Sequence, residues 1–276
     1  MLKGRTCLVT GASRGIGLAI GIAAARQGAN LEGTIYTAAE RIEQAGGQAL
    51  PVQCDIRNED DIQAAVKACV ERFGGLDILV NNASAIGLSK TDTVETKRFD
   101  LMHAINARGT FLMCKHALPH LKSSSSSHIL NLAPPPVLRP DWFGAHLAYT
   151  MAKYSMSLIT LGLSHECRAF GIGVNALWPV TLIGTAAVQN VLGGESAVLK
   201  ARKPDILADA AVRIFAKDGK TGHFVIDEIF LRQEGVTDFD QYAMVKGNRN
   251  FETDLFVDDS VLREVNDLRL AAGWHV

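Results

Sequence analysis

At 276 residues the chain can hold one α/β domain or two smaller ones, and hydrophobic residues at 47% with charged residues at 21% are ordinary globular proportions. A formal net charge of −1 offers no field for nucleic acid or an anionic membrane, so neither is expected as a partner. The five cysteines are scattered without C-x-x-C spacing, which argues against a disulfide framework and against a metal site and fits a reducing, cytoplasmic setting. No apolar run reaches membrane-spanning length, and the first residues carry no secretory core.

The first element is a buried strand, Thr6-Cys7-Leu8-Val9-Thr10. It runs into Gly11-Ala12-Ser13-Arg14-Gly15-Ile16-Gly17, and a helical pattern follows over 16–28. Strand, glycine-rich turn and helix in that order suit a phosphate. Gly11 supplies backbone angles closed to other residues, Gly15 removes a side chain where phosphate approaches, and Gly17 lets the helix pack on the strand. The helix N-terminus then offers free N–H groups and a positive dipole end; the bland alternative is a structural turn. A second strand should follow, but the chain passes from Asn30 through Leu31-Glu32-Gly33-Thr34-Ile35-Tyr36 into a helical pattern over 38–45. Only Leu31 and Ile35 suit a strand there. The adenosine side of a nucleotide pocket therefore reads as shortened, and Glu32 reads as a solvated loop charge with no strand to position it.

Residues 48–53 read as a short strand leading to Cys54-Asp55-Ile56. Asp55 either meets a ligand at the strand edge or caps the helix that opens at Asn58-Glu59-Asp60-Asp61. Ile62, Ala65, Val66, Cys69, Val70 and Phe73 keep helical spacing, and Gly74-Gly75 stops the helix. The strand 76–80 ends in Asn81-Asn82-Ala83-Ser84. An asparagine pair at that point can tie neighbouring backbones together and leave a small residue facing a ligand, or can simply form a turn. Two helical patterns span 94–121, with Asn106 in an apolar stretch where propensity disfavours it and burial would demand partners. Ser123 to Ser127 reads as a solvated loop, 128–132 as a strand, and Ala133-Pro134-Pro135-Pro136 follows.

A long helix over 147–170 is apolar on several faces, which predicts burial against the sheet and against a partner subunit. It carries Tyr149 and Lys153, four residues apart and so one turn apart on one face; alone, that pair could be an ordinary helix face. A strand over 172–178, Pro179, a segment over 180–196, a helix over 204–217 and a last strand over 222–227 complete the pattern. Residues 239–276 form a polar, mixed tail suited to arm-like packing on a neighbouring subunit.

The turn Thr10-Gly11-Ala12-Ser13-Arg14-Gly15-Ile16-Gly17, the segment Asn81-Asn82-Ala83-Ser84 and the pair Tyr149 and Lys153, in this order, resemble the short-chain dehydrogenase/reductase family. Phe73 to Ile86 and Asn175-Ala176-Leu177-Trp178-Pro179 look closest to its hydroxysteroid dehydrogenase-like branch, and the resemblance covers residues 3–257. It implies an α/β fold: a doubly wound parallel sheet with helices on both faces, a single Rossmann-like domain over 1–237, and a C-terminal extension over 238–276 with no assigned role. It also implies hydride transfer between a nicotinamide and the carbonyl or alcohol of a small, apolar substrate, by a homodimer or homotetramer. Tyr149 would be the general acid/base. Lys153 would lower its pKa and hold the nicotinamide ribose, and the Asn106 side chain would hold a water in the proton relay. Gly11, Ser13, Arg14, Gly15, Ile16, Gly17, Asp55, Ile56, Asn82, Ala83, Tyr149, Lys153 and Pro179 would contact the nucleotide. Arg14, a cation placed to meet a ribose 2′-phosphate, points to NADP(H), with NAD(H) as the alternative.

The chain also departs from the family pattern. Ser84 and Val180 stand where the family has glycine, and the second strand and its loop are longer in the family. Pro134 stands where a serine hydroxyl would bond the substrate carbonyl, and proline has neither hydroxyl nor N–H to give. His146 is a candidate replacement or else a helix-start histidine. Thr181 or Thr185 matches a phosphate-contacting threonine, and Leu182, Ile183, Val188, Val191 and Leu192 suggest an apolar lid. The loss of the serine keeps a second reading open, a nucleotide-binding protein with little or no reductase turnover.

Overall fold

A sheet covered on both faces needs apolar residues of both parities along its strands. Cys7, Val9, Ile78, Val80 and Leu130 point into one buried cluster, and their neighbours Leu8, Leu79 and Ile129 into another on the opposite face. The computed structural model, which describes residues 1–32 and 36–274, accordingly forms a seven-stranded sheet with every pairing parallel. In chain order the elements are β1 Thr6–Val9, α1 Gly15–Arg26, β2 Asn30–Glu32, α2 Tyr36–Gln44, β3 Ala49–Leu50, α3 Glu59–Phe73, β4 Ile78–Asn81, α4 Thr96–Met102, α5 Thr110–Leu121, β5 His128–Asn131, α6 Pro140–Ala145, α7 Leu147–Glu166, β6 Gly173–Trp178, α8 Gly194–Leu199, α9 Asp205–Phe215, β7 Phe224–Ile226, α10 Asp227–Gln233 and α11 Asp259–Ala271. The strand order is β3-β2-β1-β4-β5-β6-β7, so the winding reverses between β1 and β4. Helices α1 and α9 cover one face through Leu18, Ile20, Ile206 and Phe215; α3, α5 and α7 cover the other through Ile62, Val66, Leu112 and Leu163.

The doubly wound sheet holds as expected, with four local differences. The second strand exists: Asn30–Glu32 pairs with Thr6–Leu8 on one side, and Leu31 and Glu32 pair with Ala49 and Leu50 on the other. Ladders to two neighbours supply what its thin apolar content does not, so Glu32 sits on a strand and not in a loop; Ile35 lies outside the described residues. The helical stretch over 94–121 is one run interrupted by a π-helical segment, His103–Gly109. The serine run is not simply solvated, because Ser124 donates to Asp77 at 2.5 Å, Ser126 donates to Asp218, and the Ser126 carbonyl accepts from Arg5.

The fourth difference is the tail, which folds back on its own chain. Phe239, Tyr242 and Trp274 join the main core, and Phe256, Val257 and Val265 join a third cluster around Tyr149. The tail is polar on average, but these few large apolar residues bury it, and Asp258 caps α11 by accepting from the Ser260 and Val261 N–H groups. A buried carboxylate anchors it. Glu228 on α10 is fully buried, 2.7 Å from Arg269 of α11, 2.8 Å from Arg232 and 2.9 Å from Arg202. Arg202 sits at ion-pair distance but outside hydrogen-bond geometry, its guanidinium over the rings of Phe251 and Phe239 at 4.5 and 5.5 Å. Burial alone would raise the Glu228 pKa, but the hydrogen bond from Arg269 and the surrounding guanidinium charge hold it below the usual carboxylate range. Glu228→Gln leaves three guanidinium groups without their counter-charge and is expected to cost about 3–5 kcal/mol. Urea unfolding checks this; an unchanged midpoint would show that solvent already compensates the arginines.

Candidate active site

The reversal of winding between β1 and β4 opens a crevice at their carboxyl ends. Thr10 and Asn82 hold it. The Thr10 hydroxyl donates to the Val80 carbonyl at 3.3 Å and accepts from the N–H groups of Asn82 and Ala83, both at 3.0 Å. The Asn82 side chain returns to the turn, donating to the carbonyls of Thr10 at 2.9 Å and Gly11 at 3.2 Å. This is the tie between backbones expected of the asparagine pair. Its partner Asn81 faces inward, donating to Asn131 at 2.8 Å, and Asn131 donates in turn to Thr160 at 2.8 Å.

The glycines are required by space. Gly11 has φ +66 and Gly15 φ +58. A Cβ on Gly17 would stand 2.5 Å from the Asn82 side-chain nitrogen and 2.8 Å from the Gly11 carbonyl. No side chain caps the N-terminus of the twelve-residue α1. A cleft of about 1040 Å³ runs past this turn, lined among others by Ser13, Arg14, Ile16, Asn82, Ala83 and Thr185. A recess of about 480 Å³ shares Gly11, Ala83 and Ser84 with it and reaches Asp55 and Ile56. A glycine cradle closed to any Cβ, an uncapped helix start and two joined hollows fit a dinucleotide.

The alternatives left open by sequence resolve here. Asn58, not Asp55, caps α3, accepting from the Asp60 N–H at 3.0 Å. The Asp55 carboxylate is gripped by Arg57, whose hydrogen bonds hold its pKa below the usual range. Thr185 lines the cleft, whereas Thr181 is buried beneath it and bridges to Thr253. Leu182, Ile183 and Val188 are core residues and not a lid; Val191 alone of the described lid candidates is substantially exposed, at 40%, and lines the cleft. Arg41 on α2 also lines the cleft, a cation that sequence reasoning passed over because nothing marked which face of α2 turns to the turn glycines. Pro179 is buried directly after β6.

Tyr149 and Lys153 share one face of α7, 5% and 4% exposed. Ala85 and Ile86 line the cleft and also pack on the Tyr149 cluster, so the pair stands beside the nucleotide hollow. Lys153 Nζ donates to the Leu132 carbonyl at 2.8 Å and lies 5.3 Å from the Trp178 ring centroid. Burial pushes Lys153 down to about 8, against the pull of the Asp254 carboxylate. Burial also pushes the Tyr149 phenol well above its ordinary value, with Asp254 adding to it. Among the chain's own groups burial therefore governs Tyr149, and Lys153 does not offset it. Asp254, on the tail, is itself pushed up to about 7, first by burial.

Asn106 is fully buried in the π-helical segment. Its side chain accepts from the Ala85 N–H at 2.8 Å and donates to the Ala85 carbonyl at 2.9 Å. These two bonds fix the 85–86 turn beside Tyr149 and use one N–H and one lone pair of the amide. His146 is likewise occupied, with Nδ1 on the Leu88 carbonyl at 2.8 Å as α7 begins. Pro134 is buried and its carbonyl accepts from Ser157 at 2.7 Å. Over Tyr149 lies Phe256, which sequence reasoning missed: ring centroids are 6.1 Å apart at 29°. Its φ of 62 is the only positive value among described non-glycine residues. For a bulky side chain that conformation costs about 1–3 kcal/mol.

A family model of short chain dehydrogenases matches residues 5–195, a span that includes the turn, the Asn82 clamp and the Tyr149–Lys153 pair. The chain belongs to the short-chain dehydrogenase family. By class, this family acts on CH–OH and C=O groups as oxidoreductases. Hydroxysteroid dehydrogenase-like protein 2 of Rattus norvegicus is 52% identical over 95% of this chain and 53% of its own length. The Homo sapiens protein of that name is 51% identical over 94% of this chain and 64% of its own length, so the chain spans about half to two thirds of these relatives. A crystal structure of a short chain dehydrogenase from Mycobacterium thermoresistibile superposes with a TM-score of 0.88 at 47% identity, covering 94% of this chain and 96% of that one. No helix among the described residues is long and apolar enough to cross a membrane.

In this short-chain dehydrogenase the clamp makes Gly17→Ala a sharp test of the cradle. The added methyl meets backbone and a committed amide, so affinity for a nicotinamide nucleotide, read by its fluorescence, is expected to fall at least tenfold. Retained affinity would mean that the turn does not bear on the nucleotide.

Proposed function

We propose that the chain is an NADP(H)-dependent oxidoreductase that reduces the carbonyl of a small, apolar compound, with Tyr149 as proton donor. The observation that carries this is the placement of the Tyr149–Lys153 face beside a glycine-cradled cleft. Gly11, Ser13, Gly15, Ile16, Gly17, Asn82 and Ala83 would hold the pyrophosphate side, Asp55 and Ile56 the adenine, and Pro179 the nicotinamide side. Arg14 and Arg41 line one cleft and make no ion pair among the described residues, which favours a 2′-phosphate and hence NADP(H) over NAD(H).

When bound, the reduced nicotinamide supplies the hydride. The protein's part is the proton. Burial keeps Tyr149 protonated at neutral pH, so it gives a proton to the alkoxide oxygen forming on the substrate, which suits reduction better than oxidation. Lys153, one turn away, spends two of its three N–H donors on the Leu132 carbonyl and the Met156 sulfur, and its ammonium would hold a ribose hydroxyl with the third. Asn106 keeps the 85–86 turn in place against this pair.

The five cysteines, scattered without C-x-x-C spacing, support a reducing compartment, and we place the protein in the cytoplasm. Phe111 on α5 and Leu158 and Leu161 on α7 are 53%, 61% and 52% exposed, an apolar outer side that supports a homodimer or homotetramer. Residues 238–276 we treat as an extension serving the site on 1–237. Pro134 keeps a second reading, a nucleotide-binding protein with little turnover, because no hydroxyl stands at that position to orient a carbonyl.

Titration with NADPH and NADH separates the readings. Tighter NADPH binding, lost about tenfold on Arg14→Ala, is expected for loss of one charge-assisted phosphate contact. Equal affinity for both nucleotides would remove NADP(H) preference. Tyr149→Phe is expected to abolish carbonyl reduction with NADPH binding intact. The active form carries the Lys153 ammonium, present below its pKa and lost above it, so kcat/KM for reduction is expected to be level below about pH 8 and to fall above it. A profile that rises through pH 8 would exclude this role for the ammonium.

A further inference from the structure

Phe256 combines two features that ordinary packing does not require together. Its backbone is left-handed, and its ring lies at the centre of an aromatic cluster built on the tyrosine of the site. Besides the stack on Tyr149, it meets Tyr154 at 5.6 Å and Trp142 at 5.9 Å edge-on, and Trp178 at 6.0 Å. The strain persists because the chain is fixed on both sides. Before Phe256, the Glu252 carbonyl accepts from the Leu182 N–H at 2.9 Å, the Asp254 N–H donates to the Val180 carbonyl at 3.0 Å, and the Leu255 carbonyl accepts from the Trp178 indole at 2.7 Å. After it, Asp258 caps α11. Between these anchors the chain passes through the left-handed conformation at residue 256 with the ring on Tyr149.

The ring therefore occupies the ground above the proton donor. Tyr149 is nearly enclosed. No serine stands at Pro134 to orient a carbonyl by hydrogen bonding, and His146 is committed elsewhere. Orientation falls to shape. The rings that surround Phe256, those of Trp142, Tyr154 and Trp178, make the surroundings of Tyr149 flat and apolar.

We propose that Phe256 is the specificity-determining residue of the site. Its ring covers Tyr149, and its bulk sets the largest flat, apolar group that the carbonyl can carry beside it. This rests on the reading of the site as a carbonyl reductase. The substrate class that follows is an aryl or conjugated ketone, whose ring packs against Phe256, and not a polar or charged carbonyl compound.

The test compares acetophenone, 2-acetylnaphthalene and pyruvate as substrates with NADPH, for the natural chain, Phe256→Ala and Phe256→Leu. The natural chain is expected to prefer acetophenone to pyruvate by at least tenfold in kcat/KM. Phe256→Ala is expected to raise the ratio for 2-acetylnaphthalene over acetophenone at least tenfold, and Phe256→Leu, which keeps bulk without a flat ring, by less. NADPH affinity should stay within twofold in both variants, which a general loss of packing would not allow. Ratios within twofold of the natural chain in a variant with normal NADPH binding overturn the proposal, as does a natural preference for pyruvate. Phe256→Leu carries the test if Phe256→Ala does not fold. If the natural chain reduces none of the three, the reductase reading fails on its own. Calorimetric binding of the two aryl ketones then decides for Phe256, since the same tenfold change in affinity ratio supports it and an unchanged ratio sinks it.

Discussion

The bond between Thr10 and Asn82 is the constraint on which the site depends. A doubly wound sheet reverses direction at one point, and there two adjacent strand ends diverge toward helices on opposite faces. The crevice this leaves has a defined shape only if something ties those ends together. Here one hydroxyl bridges three backbone groups, and one amide reaches back across the turn to two carbonyls. Gly11 and Gly17 follow from that tie, since the Asn82 amide fills the space their side chains would need.

The far side of the site is organised by buried charge. Glu228 with its three arginines pins the tail, and its neighbour Asp227 accepts from the Val180 and Glu228 N–H groups at 3.0 and 2.7 Å while its other oxygen has no hydrogen-bond partner among the described residues. Burial pushes Asp227 up to about 6, and Asp254 beyond it to about 7. The Lys153 ammonium faces a carboxyl group that itself titrates near neutrality, not a permanent anion. That keeps the ammonium less stabilised than a full ion pair would and leaves it free to turn to the Leu132 carbonyl and to a ligand hydroxyl.

Much of this was legible in the residues because it is local. The glycine turn, the Asn81-Asn82 pair and the spacing of Tyr149 and Lys153 each declare themselves within eight residues, and the strands β1, β4 and β5 are plain apolar runs. The second strand was misread because its stability comes from ladders to two neighbours and not from its own three side chains. For Asn106 the reading went only as far as the partners that burial would demand, because Ala85, which supplies them, belongs to another element. The tail was misread for the same reason on a larger scale. Its average polarity hides Phe239, Phe256 and Trp274, and no periodicity shows that an isolated aromatic residue will land on a tyrosine in a distant helix.

The bond from Trp178 to Leu255 spans 77 positions of chain and has a consequence for synthesis. A chain emerges N-terminus first, and its local units settle as they appear. The tie of the cradle draws on residues 10–83, whereas the cover on Tyr149 comes from residue 256. The tie beneath the nucleotide and the cover above the tyrosine are thus made at different stages of synthesis. A chain that stops before Leu255 loses the cover together with its anchor on Trp178.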